Sequence, residues 1–336
     1  FSDDPIPISV AITVEGDRLI VDYEGSSPQV KAALNATKSY TNSCSYLSVR
    51  CVLNGDVPNN EGIFRCIEVR APEASVLNPV MPAPCAARAL TGYRVMDAMF
   101  GALTQIVPDR VPAAGEGGNT VIAIGGYSAD RKPFIIVDMI CGCWGGRPDK
   151  DGVDAITNPS QNLSNTPIET LERQHPIRIE DYSLITDSCG AGEFRGGLGV
   201  RRSYRLLAEE AGLQLRSDRT KFAPYGLYGG QDGRKTVNWL EDVDGTRSQL
   251  PGKVTMPLTK GQLVIHEQAG AGGFGNPLER DAQRVVDDIL DGKLSSAAGQ
   301  MHYGVVLTPD GKGVDIAATL ECRTARRLEW GSSDEV

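Results

Sequence analysis

The sequence has no long apolar run, no cluster of basic residues and no secretion signal. No window approaches the roughly 18 apolar residues that a membrane-spanning helix requires, and residues 1–5 lack the positive and apolar regions of a signal peptide. The 34 Lys and Arg residues, against 43 Asp and Glu, form no run that could follow a nucleic-acid backbone. We therefore expect a soluble, cytoplasmic protein that binds neither membranes nor nucleic acids.

The common motifs for binding nucleotides and for activating serine are also missing. Every Gly-Lys pair is followed by Val, Leu or Gly, whereas a Walker A phosphate loop needs Ser or Thr at that place. There is no Gly-x-Ser-x-Gly element. Histidine occurs only at positions 175, 266 and 302, and we expect each imidazole to be structural or solvated. No cofactor site is expected in this chain.

Cysteine and clustered carboxylates give no pattern typical of a metal site. The eight cysteines include no Cys-x-x-Cys pair, which favours reduced, mostly buried thiols over a disulfide framework or a zinc site. Asp149, Asp151 and Asp154 lack the rest of a calcium-binding loop, so an acidic turn is the favoured interpretation. Cys143 and Cys189 have no base nearby in sequence and are predicted to be buried thiols. We expect no metal site in this chain.

The pattern of apolar residues predicts a chain with both helices and strands. Short β-branched runs separated by Gly, Pro and Asp fill residues 120–266 and predict strands without a regular βαβ alternation. We expect an α+β fold with mixed, largely antiparallel sheets, several packed helices, one intimately packed unit over residues 1–330 and a frayed tail at 331–336. Further predicted elements are a hairpin at 8–23, helices at 28–53, 90–106 and 278–290, and a strand at 303–307.

Gly270–Gly275 matches Gly-x-Gly-x-x-Gly, the fingerprint of a dinucleotide-binding loop. Pro277 follows at once, and the rest of the chain is too short for a second βαβ half. A structural glycine-rich turn is therefore the better interpretation.

One segment concentrates carboxamides, hydroxyls and a carboxylate around a proline. It spans residues 158–169, with the sequence Asn-Pro-Ser-Gln-Asn-Leu-Ser-Asn-Thr-Pro-Ile-Glu. Carboxamides offer both the donors and the acceptors that a cyclic amide needs. We predict that Asn162, Asn165 and Glu169 line or support a substrate pocket. Glu169 has an alternative role in a helix cap, because Thr166-x-x-Glu169 has the spacing of a capping box.

Upstream, Trp144 and Arg147 are candidates for binding substrate. Arg147 follows a Trp-Gly-Gly turn and could clamp a carboxylate or phosphate, or else pair with Asp149. Asp187 and Arg195 are interpreted as a structural ion pair.

Four segments together resemble the hydantoinase B/oxoprolinase family. They are residues 141–148, 158–169, 188–199 and 270–277, and the order of segments fits that family from Phe1 to about Arg327. The resemblance implies the B component of an ATP-dependent cyclic-amide hydrolase, or a related subunit of acetone or acetophenone carboxylase. In that family an actin-like A component phosphorylates the oxygen of the substrate carbonyl or enolate with ATP, and the B component completes ring opening or carboxylation.

The resemblance also implies partners and cofactors outside this chain. ATP and Mg²⁺ belong to the A-type subunit, and the family's metal-binding Asp/His cluster lies in an N-terminal region of the B component that no position here matches. Because the chain opens on Phe1 without Met, we expect a fragment or processed subunit, the C-terminal part of a B component. One segment departs from the pattern of the family. Where many relatives carry Gly-Gly-Asn after a Pro-Ala segment, this chain has Pro84-Cys-Ala-Ala-Arg88. This departure leaves the identity of the substrate open. A cyclic-amide hydrolase, a biotin-independent ketone carboxylase and a noncatalytic scaffold chain remain as interpretations.

Overall fold

The computed structural model describes residues 4–118, 120–157 and 159–331. For residues 329–331 it describes the backbone alone. Two compact units divide the chain. The first contains Phe1–Val111, Gly117–Asn119 and Asn158–Asn162, and the second contains Pro112–Glu116, Thr120–Thr157 and Leu163–Val336. The expectation of one intimately packed unit over residues 1–330 stays a prediction, because it concerns how the two compact units associate. The predicted frayed tail lies outside the described residues, except for Gly331, which ends the last helix.

The first unit contains a small sheet and two long helices. Its elements are β1 (Ala11–Glu15), β2 (Arg18–Asp22), α1 (Lys38–Val52), α2 (Glu61–Phe64), β3 (Ile67–Arg70) and α3 (Arg88–Leu103). β1 and β2 form the predicted hairpin, and β3 pairs parallel to β2. Val21, Val49 and Met99 bring the sheet and both long helices into one apolar core. The Tyr23 hydroxyl lies 2.7 Å from Ser45 Oγ and so ties the end of the sheet to α1.

The helix predicted from residue 28 begins only at Lys38. The buried Asn35 side chain explains the difference, because it replaces helical hydrogen bonds in this segment. Its Oδ1 accepts from Val30 N (2.8 Å), and its Nδ2 donates to Val30 O (2.7 Å) and Pro84 O (3.0 Å). An Asn side chain that satisfies nearby backbone groups favours irregular structure over helix.

The second unit is built around two antiparallel sheets that share one apolar core. Its strands are β4 (Thr120–Tyr127), β5 (Pro133–Ile140), β6 (Ile177–Leu184), β7 (Val200–Leu206), β8 (Glu210–Arg216), β9 (Val237–Glu241), β10 (Arg247–Leu250), β11 (Lys253–Thr259) and β12 (Leu263–Glu267). One sheet has the order β10-β9-β12-β7-β6 and the other β11-β8-β4-β5. Alternate side chains such as Ile122, Leu213 and Val264 face inward. Together with the helices, these sheets confirm the predicted α+β class.

The helices of the second unit are α4 (Ile168–Gln174), a 3₁₀ helix (Pro277–Glu279), α5 (Ala282–Leu290), α6 (Ser296–Tyr303) and α7 (Ile316–Gly331). The strand predicted at 303–307 is wrong, because Tyr303 ends α6. The Ser295 hydroxyl accepts a hydrogen bond from Ala298 N (3.1 Å) at the helix start, and Gly304 ends the helix with φ of 62°. Ser before a helix and Gly after it are recognised capping signals that the sequence analysis missed.

Five irregular segments outside the regular strands pack side by side through their backbones. This glycine bundle consists of residues 112–116, 141–147, 188–199, 224–233 and 268–276. Gly146 N donates to Gly272 O (2.9 Å), Gly190 N to Ala271 O (2.7 Å), and Ala271 N to Gly197 O (2.9 Å).

Glycine is required in this bundle because neighbouring backbones approach too closely for a side chain. A Cβ built on Gly270 would lie less than 3 Å from Ser188 O, and one on Gly272 would lie equally close to Tyr225 O. The N–H groups of Gly270, Gly272 and Gly273 already donate to backbone carbonyls. This fingerprint segment therefore has a structural role, as predicted, and its backbone bends at Gly275, where φ is 74°.

We predict that Gly270→Ala lowers the free energy of unfolding by more than about 2 kcal/mol or prevents folding, because the added methyl group overlaps a carbonyl. Gly212→Ala is the matched control, since a Cβ there meets nothing closer than 3.8 Å. The control should change stability by less than about 1 kcal/mol. Urea unfolding followed by circular dichroism measures both variants, and equal stability would contradict the close-packing explanation.

Candidate functional site

A cluster of buried polar side chains lies inside the sandwich of the second unit. This polar cluster consists of Asp138 on β5, Arg202 and Tyr204 on β7, His266 on β12 and Asn238 on β9. His266 pairs directly with Arg202 on one side and with Asn238 on the other. Paired residues of antiparallel strands point to the same face of a sheet. All five side chains are almost completely buried.

Asp138 is the centre of the first half of the cluster. Arg202 Nε lies 3.2 Å from its Oδ2, and the Tyr204 hydroxyl donates to the same oxygen over 2.7 Å. The Arg202 guanidinium also lies 4.5 Å from the ring centre of Tyr182, a cation–π contact. Burial raises the pKa of Asp138, and the Tyr204 hydrogen bond and the Arg202 charge partly oppose this effect.

His266 is the centre of the second half. Its Nδ1 lies 2.7 Å from Asn238 Oδ1, and Asn238 Nδ2 donates to Ser217 Oγ over 3.0 Å. Because the Asn238 oxygen accepts, the network assigns the proton to Nδ1 of the imidazole. Burial lowers the pKa of His266 to about 3, so the ring is neutral near pH 7.

Several buried polar atoms in and beside the polar cluster have no hydrogen-bond partner among the described residues, including Asp138 Oδ1, Arg202 Nη1, His266 Nε2, Gln268 Oε1 and Thr120 Oγ1. Gln268 Nε2 donates to Ile140 O over 3.3 Å, and Ile140 pairs with Thr120 across the sheet. A buried polar atom without a partner costs roughly 1–3 kcal/mol. Hydroxyl, carboxamide and imidazole groups in this arrangement can hydrogen-bond water or a small polar molecule.

The structure brings part of the predicted loop to this cluster. Asn165 Oδ1 accepts a hydrogen bond from Cys141 N over 2.9 Å, and Arg202 Nη2 donates to Thr166 O over 2.7 Å. Cys141 Sγ lies 3.6 Å from Leu163 O. Residues 163–166 are therefore fixed to the polar cluster through Arg202. Contact between Asn165 and a substrate stays a prediction.

The other two residues predicted in the loop are more exposed. Glu169 is exposed in the first turn of α4. The capping box is wrong, because the residue before the helix is Pro167 and no side chain caps it. Asn162 is exposed, belongs to the first unit and makes no side-chain hydrogen bond to a described residue. Roles for Glu169 and Asn162 at a substrate pocket stay predictions.

Trp144 and Arg147 hold local backbone in place. Trp144 Nε1 donates to Thr157 O over 2.5 Å, and Arg147 Nη2 donates to Asp151 O over 2.7 Å. Arg147 thus braces its own turn and does not pair with Asp149, so that alternative is wrong. Both side chains are partly exposed. Their predicted binding of substrate stays a prediction.

Sequence reasoning missed a network of buried ion pairs. Arg195 bonds Asp154 and Asp288, each over 3.0 Å. Arg280 bonds Asp151 over 2.7 Å and Asp288 over 2.6 Å. Arginine partners therefore occupy Asp151 and Asp154 of the acidic segment, and the backbone turns at Pro148 and Asp149, as the acidic-turn interpretation predicts.

The predicted pair of Asp187 with Arg195 is wrong, since Asp187 Oδ1 accepts from Ser295 N over 2.7 Å instead. Within residues 4–118, 120–157 and 159–331, no three His, Cys, Asp or Glu residues converge as a metal site would require. Within the same ranges, no helix is long and apolar enough to cross a membrane.

All eight cysteines are free thiols. Cys143 is buried and Cys189 partly buried, and burial raises the pKa of both thiols, that of Cys189 to about 12. The prediction of a buried thiol is confirmed for Cys143, whereas Cys189 is only partly buried. A raised pKa keeps both thiols protonated near pH 7 and makes them poor nucleophiles. The broader expectation of mostly buried thiols is wrong for Cys51 and Cys66, which are exposed.

We predict that His266 contributes to acid sensitivity. Its pKa is about 3 in the folded protein against an ordinary value of 6.5, so the unfolded state binds more protons between those pH values. Stability should therefore fall as pH falls through this window, by up to about 1.4 kcal/mol per pH unit. Urea unfolding between pH 7 and about 4 should show a shallower loss for His266→Gln. His302→Gln is the comparison variant: burial also lowers the pKa of this partly exposed imidazole, so its replacement should change the slope in the same direction but less. Parallel wild-type and His266→Gln curves would contradict the assignment.

Comparisons with known proteins identify the family. The model of the hydantoinase B/oxoprolinase family matches residues 1–277. A protein of a Pseudomonas species, named as the B component of a D-/L-hydantoinase, is 35% identical over 335 residues, covering 96% of this chain and 56% of that protein. The 5-oxoprolinase of Saccharomyces cerevisiae is 30% identical over 283 residues, covering 80% of this chain and 22% of that enzyme. The chain thus spans about half of the first relative and a smaller part of the second.

Two solved structures share the fold. The ATP-dependent caprolactamase of Pseudomonas jessenii superposes with a TM-score of 0.84 at 28% identity, covering 94% of this chain and 56% of that one. A nucleotide-free acetone carboxylase superposes with a TM-score of 0.79 at 19% identity, covering 96% and 48%, which shows the fold alone. Because the family model matches most of this chain, residues 1–277, the chain belongs to the hydantoinase B/oxoprolinase family.

Proposed function

We propose that this chain works as part of a B-type subunit in an ATP-dependent complex that opens a small cyclic amide. The observation that carries this proposal is the match of nearly the whole chain to a subunit named for hydantoinase activity. The superposition on an ATP-dependent caprolactamase at 28% identity supports the same reaction class. A cytoplasmic site of action is part of the proposal.

The chemistry divides between this chain and its partners. In the proposed reaction, ATP transfers a phosphoryl group to the amide oxygen and leaves as ADP. Water then attacks the carbonyl carbon, and the ring C–N bond breaks to give a free amine and an acyl phosphate. A second water hydrolyses the acyl phosphate to the carboxylate and inorganic phosphate. Phosphorylation turns a poor leaving group into a good one and so lowers the barrier to attack by water. We assign ATP and Mg²⁺ to an actin-like A-type subunit, and any catalytic metal to a part of the B component outside this chain.

The proposed contribution of this chain is a rigid wall for the substrate site. The loop from Leu163 to Glu169 supplies a carboxamide and a carboxylate, and the polar cluster fixes the backbone of its first half. Trp144 and Arg147 are the proposed contacts from the neighbouring segment of the same unit. A preorganised wall lowers the entropic cost of placing a substrate.

We predict that the intact complex, purified through a tag on this chain, hydrolyses ATP only when a suitable cyclic amide is present. Hydantoin, 5-oxoproline and caprolactam are the substrates to test, with phosphate release and ring-opened product measured together. Stoichiometric ring opening is the expected result.

Two other outcomes define the alternatives. ATP hydrolysis that depends on a ketone plus bicarbonate, with a carboxylated product, would assign the complex to the ketone carboxylases. Activity in a complex that lacks this chain would leave it as a noncatalytic scaffold. Either outcome would overturn the proposed function.

We predict that the two functions of the Asn165 side chain can be separated by mutation. Asn165→Ala removes the acceptor for Cys141 N, so the free energy of unfolding should fall by about 1–3 kcal/mol. Asn165→Asp keeps an acceptor oxygen but loses the N–H donors. If those donors contact substrate, kcat/KM should fall at least about tenfold in both variants, while only the Ala variant loses stability.

Gln249→Ala is the control for Asn165, because it removes an exposed carboxamide on β10. Its activity and stability should match those of the wild type. Full activity per folded molecule in both Asn165 variants would leave this residue with a structural role alone.

A further inference from the structure

Two neighbouring polar contacts join the two sheets of the second unit. Arg202 Nε lies 3.2 Å from Asp138 Oδ2, and Gln268 Nε2 donates to Ile140 O over 3.3 Å. Asp138 and Ile140 are two residues apart on β5, and both side chains face the interior. On the opposite sheet, His266 pairs directly with Arg202 and comes two residues before Gln268. The imidazole of His266 therefore lies beside both contacts.

Thr120 completes this arrangement from the neighbouring strand, β4. It pairs with Ile140 across the β4–β5 ladder, which places its buried side chain near the carboxamide that contacts Ile140 O. Four side chains around this point are 0% exposed, and each has a polar atom without a hydrogen-bond partner among the described residues. The atoms are Thr120 Oγ1, Arg202 Nη1, His266 Nε2 and Gln268 Oε1. The space that these four atoms surround is here called the interior site.

The four atoms divide evenly between hydrogen-bond acceptors and donors. His266 carries its proton on Nδ1, which donates to Asn238 Oδ1, so its Nε2 is an acceptor. Gln268 donates to a backbone carbonyl through Nε2, so its Oε1 is the second acceptor. Arg202 Nη1 can only donate, and the Thr120 hydroxyl supplies the second donor. Water is the smallest molecule that complements this set, because it donates two hydrogen bonds and accepts two.

Charge and enclosure favour water over an ion or an organic molecule. Asp138 offsets the positive charge of Arg202, and the His266 ring is neutral near pH 7, so the interior site carries no net charge. An ion would enter without a compensating charge, which is costly in a protein interior. The complete burial of the four side chains favours the smallest ligand. Buried waters typically make about three hydrogen bonds to polar groups that have no other partner.

We propose that the interior site binds an ordered water molecule. The water donates its hydrogens to His266 Nε2 and Gln268 Oε1. Its oxygen accepts from Arg202 Nη1 and from the Thr120 hydroxyl, so that the two halves of the polar cluster are joined. Because Arg202 Nη2 donates to Thr166 O, the water also restricts the guanidinium that fixes the loop. This water site is independent of the reaction assigned above.

Crystal structures at high resolution test the water directly. The wild type should show a solvent peak within hydrogen-bond distance, about 2.7–3.2 Å, of at least three of the four atoms. Thr120→Ser keeps the hydroxyl and should keep the peak. Thr120→Val removes one partner of the water, and the peak should disappear or move away from position 120.

The sign of a stability change provides the second measurement. If the Thr120 hydroxyl binds the water, Thr120→Val should raise the equilibrium constant of unfolding at least about fivefold, because the water loses a partner. In a dry interior, the same substitution would remove an unpaired hydroxyl and lower that constant. Thr255→Val, at an exposed position on β11, is the matched control and should change the constant less than about twofold. Urea unfolding measures the wild type and both variants.

Several results would overturn the water site. In the wild-type structure they are the absence of a solvent peak, a peak with the coordination of a metal ion, and direct hydrogen bonds among the four side chains in place of a peak. In the variants they are loss of the peak in Thr120→Ser, an unchanged peak in Thr120→Val, and a Thr120→Val protein at least as stable as the wild type. The wild-type and Thr120→Ser structures decide the question even if Thr120→Val does not fold.

Discussion

The close approach of backbones in the glycine bundle is the constraint on which the rest of the second unit depends. Each of three bundle segments is continuous with a strand that carries part of the polar cluster. Asp138 precedes segment 141–147, Arg202 follows segment 188–199, and His266 precedes segment 268–276. Backbone hydrogen bonds between these segments, such as Gly190 N to Ala271 O, set the positions of the strand ends. Glycine at the crossing points is therefore a condition for the cluster, although no glycine is part of it.

The buried ion pairs attach the bundle to its surroundings. Arg195 belongs to a bundle segment, while Asp154 lies in the turn that follows segment 141–147 and Asp288 lies on α5. Taking charges out of water is costly, and removing one partner leaves the other charge buried without compensation. The network thus contributes less to net stability than to fixing one arrangement, since any shift of the turn or helix would break several charged hydrogen bonds together.

Local patterns predicted much of this fold but little of its polar interior. The alternation in β4 and β5 and the apolar stripe of α3 identify those elements because each depends on neighbours in sequence. Both faces of strand β7 carry polar residues in the run Arg201-Arg202-Ser203-Tyr204-Arg205. The sequence therefore gives no alternation that would show that Arg202 and Tyr204 face the core. The carboxamide-rich pattern predicts a functional role for Asn165, yet its acceptor role depends on Cys141 N, which only the fold brings near. Asn35 shows the same limit, because its partner Pro84 O is distant in sequence.

The protonation states in the polar cluster limit how it can take part in chemistry. His266, with a pKa of about 3, is too weak a base to accept a proton readily near pH 7. Asp138 has a raised pKa, but Arg202 and Tyr204 already occupy its Oδ2. Neither group is exposed to a substrate in the described structure. Under the proposed function, the cluster therefore acts through the loop from Leu163 to Thr166, whose backbone Arg202 holds at Thr166 O. The bond to Cys141 N uses the Asn165 oxygen and leaves its carboxamide N–H groups available. In the proposed function, these N–H groups are the ones that reach the cyclic amide.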